Sequence, residues 1–474
     1  MQSKAKQNGG SVVLKSGIWF TICNIITKGI GFFTTPIFSR LLTKNEFGDF
    51  NNFTTWTGIV LFVTSLNLES SLIRARFDFE DDLDSYVSSM ACLSAISTAF
   101  WFAIMLLFIS PFETLFSMNR IDIYAMFLYL MFYPAIQLFQ TKERFIYKYK
   151  STIISSLLVV VSTAGLSVIL VVLMEKKLLG RILGSVLPVA VIGFFIWILM
   201  IRKSRRIQVK YWKYAIPFTL PFIPHLLSMY LLGSMDKVMI KQICGSEDLA
   251  LYSLAYTVGT IISLFVHSMN NAFSPWLGEQ LSNNNYKKIK KVSVVYVSIF
   301  AYSAIILIWI MPEVLLLLGG RAYAEAIYVI PQIFAGTLMQ FIYCMYVNVE
   351  QFEKKTGGMA IASILAALFN YITNYIFLRR FGYIAASYTT LFSYLLLMIL
   401  HLFLVKKIGR GNVFNNPVIV IIGMVGSLFM ISSNLVFDHI LIRYLLFLIL
   451  IVMSIAVLYK YRDLVSKYIL KRGK

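Results

Sequence analysis

Residues Lys28–Phe50 read KGIGFFTTPIFSRLLTKNEFGDF, a cation near the middle of an apolar run followed by a charged turn. Residues 18 to 38 are apolar and long enough to cross the ~30 Å hydrocarbon layer at ~1.5 Å per residue. Either end of that run is ~15 Å from Lys28, so the side chain cannot carry its ammonium out of the bilayer by snorkelling. The charge must face protein or water, at a cost that starts at ~2.5 kcal/mol on insertion scales. An intramembrane cation of this kind points to function. The alternative is a structural lysine bonded to carbonyls of a neighbouring helix. Pro36 is placed to break the helix near its outer end, and Arg40, Glu46 and Gly48 punctuate the turn into a second helix.

The whole chain agrees with a membrane setting. Its 474 residues are 58% hydrophobic and 14% charged, with a mean hydropathy of +0.75, which excludes a water-soluble globule. About fourteen apolar segments of spanning length follow one another, predicting an all-α polytopic membrane protein. The first is read as a span and not as a cleaved signal, because it is too long and lacks a small-residue cleavage motif. With both termini placed in the cytoplasm, the inner segments carry 30 Lys and Arg and the outer loops 12, the asymmetry of the positive-inside rule. The formal charge of +21 then belongs to short cytoplasmic loops, and nucleic acid is not an expected partner. Cys23, Cys92, Cys244 and Cys344 are scattered, as are the four histidines, so no metal-ligand spacing arises. No Gly-rich phosphate loop is present, and no cofactor is expected; a coupling ion is left open.

Along the chain, Glu69 lies at the end of the second span, before Arg74, Arg76 and the acidic run Asp78–Asp84. It is read either as an interfacial carboxylate paired with one of those arginines or as a cavity residue, and the acidic run as a solvated turn. The run RKSRRIQVKYWKY, Arg202–Tyr214, is the densest cationic stretch and sets the expected domain limits: 1–206, 207–410, and 411–474 for two accessory helices and a basic tail. After it, Pro217, Pro221 and Pro224 interrupt the seventh span beside His225, a broken helix of the kind that lines cavities; Asp236 and Lys237 close it. NEFGDFNNFTTWTGIV from Asn45 and EDLALYSLAYTVGTI from Glu247 share an acid, an aromatic (Phe50, Tyr252) and a glycine (Gly58, Gly259) at the start of each half's second helix. Six spans per half make this a parallel repeat about an axis along the membrane normal.

The segments TKGIGFFTTPIFSRLLTKNEFGDF, LPFIPHLLS, SMDKVMI and EDLALYSLAYTVG resemble the polysaccharide-export branch of the MOP superfamily. That resemblance implies two six-helix bundles plus two C-terminal helices, working by alternating access. It implies a flippase that moves undecaprenyl-pyrophosphate-linked repeat units across a bacterial cytoplasmic membrane, alongside a polymerase and other pathway components. Lys28 and Arg40 match the family's first-hairpin cations, and Asp236 with Lys237 its acid–base pair. No intramembrane arginine of the second bundle is assigned. A pyrophosphate needs fixed cations in a hydrated cavity to cross hydrocarbon, which suits Lys28. The rivals are a drug or ion exporter of the same fold, and an integral membrane polymerase or acyltransferase. Such an enzyme would need a convergent cluster of reactive side chains on a large outer loop, and every loop here is short.

Overall fold

The computed structural model describes residues 19, 23, 26, 27, 29–146, 148–204, 206–355 and 357–460. Lys28 lies outside the described residues, as does the side chain of His225. Helix α1 covers residues 29–41 and α2 Lys44–Thr64. There follow α3 Leu72–Asp78, α4 Leu83–Leu107, α5 Ile109–Phe116, α6 Arg120–Phe145, α7 Tyr149–Leu173, α8 Lys177–Ser204, α9 Val209–Thr219, α10 Ile223–Ile243 and α11 Ser246–Ser282. The remainder comprises α12 Tyr286–Ile308, α13 Met311–Gly319, α14 Ile330–Phe352, α15 Gly357–Phe381, α16 Ile384–Lys407, α17 Asn416–Ser432 and α18 Ile440–Lys460.

The described residues contain no strand, and the all-α class holds. Ten helical spans among them are long and apolar enough to cross a membrane, and α2 with its bent continuation Leu68–Asp78 makes an eleventh. The difference from fourteen has physical causes. The first segment is only partly described, the last is a shorter apolar helix, and the seventh is broken by its prolines and loaded with Asp236, Lys237 and Lys241.

Local chemistry explains the breaks. Thr43 caps α2 through a reciprocal box, its Oγ1 accepting from the Glu46 amide at 3.2 Å while its own amide donates to Glu46 Oε2 at 2.8 Å. At the other end Leu66 and Asn67 take left-handed φ of 53° and 48°, which turns the chain by 52° into Leu68–Asp78. Pro217 falls inside α9, and a 3₁₀ turn at Leu220–Phe222 separates α9 from α10, so the three prolines do divide the seventh segment. Pro36 acts otherwise: α1 runs through it to residue 41. Nearby carbonyls are met by side chains, Thr35 Oγ1 donating to Gly31 O at 2.9 Å and Ser39 Oγ to Pro36 O at 3.2 Å.

Packing divides the chain into two compact units, Met1–Ser253 with Tyr375–Tyr383, and Leu254–Asn374 with Ile384–Lys474. In the first, α6, α7 and α8 pack together and α10 packs on α2. Tyr86, Tyr211 and Ala215 are fully buried beside Phe79, joining α4 to α9. The acidic turn is more than solvated, because Tyr214 Oη donates to Asp78 Oδ2 at 2.6 Å and Tyr211 Oη donates to Asp82. In the second unit α14 is the central element, covered by α12, α16 and α17 and buried over most of its length.

Candidate functional site

A cavity of about 510 Å³ opens inside the first unit. Its wall is part polar: Thr27, Thr34, Thr54, Thr57 and Thr163 contribute hydroxyls, and Tyr129 and Tyr133 stack at 4.8 Å along one side. Gly31 and Gly58 line it where the chain needs no side chain; a Cβ on Gly58 would lie 1.9 Å from Tyr230 Oη.

Among the described residues one charged side chain lines this cavity, Arg181 in the first turns of α8. Its guanidinium carbon lies 3.6 Å from the Phe38 ring centroid and 4.2 Å from that of Phe50. The two rings come from α1 and α2, opposite arms of the first hairpin, so the hairpin grips a cation supplied from elsewhere in the chain. Each such contact is worth ~2 kcal/mol where water is excluded. Arg181 Nε is buried without a hydrogen-bond partner among the described residues. No carboxylate lines the cavity among the described residues, so the ring faces hold the charge without neutralising it.

Helix packing explains why this arginine is inside. Residues 180–184 read GRILG, and a Cβ on Gly180 would meet Leu170 O at 2.7 Å, one on Gly184 the Ser167 Cα at 2.3 Å. The two glycines let α8 lie directly on α7, as small residues four apart do in membranes. Lys177 Nζ then donates to Leu41 O at 3.1 Å, tying the start of α8 to the first hairpin. Counted as one of three cations of an outer loop, Arg181 was missed by the sequence reading; the glycine pair around it was the available signal.

The residues expected from sequence fall in several places. Arg40 is exposed, donates from Nη1 to Pro36 O at 3.1 Å, and does not line the cavity. Glu69 sits half-buried in the 3₁₀ turn after α2, and Arg74 pairs with Asp78 at 3.2 Å instead. Arg76 lies over the rings of Phe77 and Phe145. Asp236 is 1% exposed and accepts from Tyr252 Oη at 2.6 Å, while Lys237 beside it is half-buried. Thr27 lines the cavity, and Lys28 and the His225 side chain lie outside the described residues.

The two similar stretches of the repeat meet in this unit. Asn45 Nδ2 donates to Glu247 Oε1 at 3.1 Å, Ser246 Oγ donates to Asp49 Oδ1 at 2.7 Å, and Lys241 pairs with Asp49. Gly48 faces the Ser246 backbone so closely that a Cβ would lie 1.9 Å from the carbonyl oxygen. Gly58 and Gly259 are likewise both sites of close approach, the latter against Ile333.

A family profile described as polysaccharide biosynthesis protein matches residues 13–281. The chain belongs to the polysaccharide biosynthesis family. A MatE profile also matches this family member, over residues 221–376. A relative in Haemophilus influenzae, Lsg locus putative protein 1, is 23% identical over 75% of this chain and 89% of its own length. Among solved structures, the lipid II flippase MurJ in an inward closed conformation matches 94% of this chain and all of its own, with a TM-score of 0.69 at 15% identity. An inward-facing multidrug resistance MATE transporter of the MOP superfamily matches 84% and 98%, with a TM-score of 0.63 at 15% identity. The chain is therefore a multi-pass membrane protein with the MOP-superfamily fold.

Proposed function

We propose that this polysaccharide biosynthesis family member is a flippase for undecaprenyl-pyrophosphate-linked oligosaccharide repeat units of O-antigen, capsule or exopolysaccharide, working by alternating access in a bacterial cytoplasmic membrane. The observation that carries the reading is Arg181: a cation held over two rings, with no carboxylate among the described lining residues, in a hydroxyl-lined cavity inside a membrane bundle. Such a group attracts a phosphate and costs nothing to reorganise when it arrives. The cavity has the volume of a small-molecule site, enough for a headgroup while the prenyl tail stays in lipid. Lys28, three residues before Gly31 and six before Thr34 in the sequence, is proposed as a second cation on the path, with Arg40 and the Asp236–Lys237 pair as further charged positions. The prolines of α9 and α10 are proposed as the hinge. Both termini lie in the cytoplasm on this reading, no resident cofactor takes part, and the polymerase of the same pathway receives the product.

The test is complementation of surface glycan in a strain lacking its own flippase, with membrane protein level measured in parallel. Wild type should restore glycan, and Arg181→Met should insert normally yet fail to do so. Full export by Arg181→Met at normal abundance rejects the site. A wild-type protein that restores no glycan but lowers dye accumulation favours the drug-exporter reading suggested by the MatE match. Reporter fusions at Lys176 and Arg205 should report opposite sides of the membrane; the same side for both rejects the topology.

A further inference from the structure

The second unit buries a different set of titratable groups. Glu350, near the end of α14, is 1% exposed and His401, on α16, is 2% exposed. His401 Nδ1 stands 2.8 Å from Glu350 Oε1. When Glu350 is ionised its carboxylate accepts only, so Nδ1–H donates to Oε1, and in the neutral imidazole Nε2 then carries a lone pair. The Tyr343 ring, two turns earlier on α14, stacks on the imidazole at 5.6 Å. Glu350 Oε2 is buried with no hydrogen-bond partner among the described residues. Glu350 also lines a cavity of about 750 Å³ at the ends of α14, α15 and α16, whose wall is mostly apolar, with Ile361, Leu365, Phe403 and Leu404 among its members.

Proton counting shows what the pair can do. With the one proton on Nδ1 it carries a charge of −1; a second proton, on Oε2 or Nε2, brings it to zero, and no other bond changes. A net charge sealed in an apolar bundle is costly unless water reaches it, and a neutral pair is not. We propose that Glu350 and His401 form a proton-binding site, and that the adjoining cavity dries and closes only when the second proton is aboard. This rests on the transporter reading for its purpose, since it supplies that cycle with a coupling ion.

The surroundings contain few competitors. Glu353, Lys355 and Lys407 line the same cavity. Glu353 is held by Arg410 Nε at 2.7 Å, and Arg410 also donates to Tyr286 Oη at the start of α12. Lys287, Lys288, Lys290 and Lys291 on α12 are exposed, and Tyr296 further along it stacks on Phe273 and Phe341. From α11, Asn270 accepts from Asn348 Nδ2 at 2.8 Å, and His267 lies one turn before it. Neither α17 nor the α15 wall of residues 357–365 carries a titratable side chain. Arg321, Tyr323, Glu325 and Tyr328 lie at the opposite end of α14.

The test uses the full chain in detergent with Cys23, Cys92, Cys244 and Cys344 replaced by Ala and an environment-sensitive bimane on Ile361→Cys, a cavity position that is 62% exposed. Titrated with protons alone from about pH 5 to about pH 9, across the range in which a histidine pair can respond, the emission should pass through a one-proton transition with the drier, bluer state at the acid end. Glu350→Gln should hold the acid-end emission throughout. His401→Asn, which keeps a donor to Oε1 but removes Nε2, should move the midpoint by at least one pH unit, a tenfold change in proton affinity; it also serves if Glu350→Gln does not fold. Glu353→Gln and Lys355→Met should leave the transition in place. A flat wild-type titration, a wild-type transition in Glu350→Gln, or loss of the transition in Glu353→Gln overturns the proposal. No lipid-linked substrate is involved, so a flat titration removes this site without touching the flippase reading. A clean transition in a protein that exports no glycan removes the flippase reading alone.

Discussion

In the first unit a guanidinium lies between two phenyl rings above a wall of hydroxyls, with no acid among the described lining residues; in the second a carboxylate and an imidazole share a hydrogen bond beside an apolar cavity. Ring faces attract a cation through their quadrupole and leave its charge available to an arriving anion. An acid–histidine pair that holds one proton is neutralised by a second. The contrast suggests a division of labour, anion recognition in one unit and proton binding in the other.

The largest effect that could break this contrast is at Arg181. Arg181→Met should lower glycan export about tenfold to a hundredfold, because a charge-assisted phosphate contact is worth ~1.5–3 kcal/mol. Arg181→Lys should retain part of it, an ammonium binding phosphate without the planar fork. Neither change should alter the pH response of a reporter in the second unit; a shifted response would mean the two sites are one. Lys28→Met should also abolish export at normal or raised abundance, since removing an intramembrane charge removes its desolvation cost. Loss of protein instead would mark Lys28 as structural.

A packing variant sharpens the comparison from the side of stability. Gly184→Leu must displace the Ser167 backbone, so it should cost ~1–3 kcal/mol and lower the melting temperature of the purified protein. It should impair export by lifting Arg181 off its rings, and leave Glu350 unaffected. Labelling of single cysteines at Leu220 and Ser228 should change when lipid-linked substrate is supplied; an unchanged pattern at both makes the prolines static. Smallest is Tyr214→Phe, which removes one exposed hydrogen bond to Asp78 and should lower the thermal unfolding midpoint only slightly, with export intact.

Much of the fold was legible in the sequence, because hydropathy is a property of whole segments. Gly58 and Gly259, matched to each other by sequence, are both points of close approach. The site was less legible. Arg181 hides among loop cations in the sequence, and its inward placement depends on a glycine pair meeting a neighbouring helix. Glu350 and His401 are separated by a complete helix, and no local pattern marks either as half of a pair. Segment properties follow from transfer energies summed over twenty residues; side-chain pairing follows from packing, which one residue can redirect.

The aromatic grip on Arg181 also bears on how the chain is made. Phe38 and Phe50 precede α8 in the chain, so both leave the ribosome before it. The rings that hold the guanidinium are thus synthesised before the arginine itself and before the glycines that pack α8 on α7. Reversing that order, by permuting the gene so that α8 is synthesised first, would leave the guanidinium to be inserted without its partners, and biogenesis rather than transport would fail.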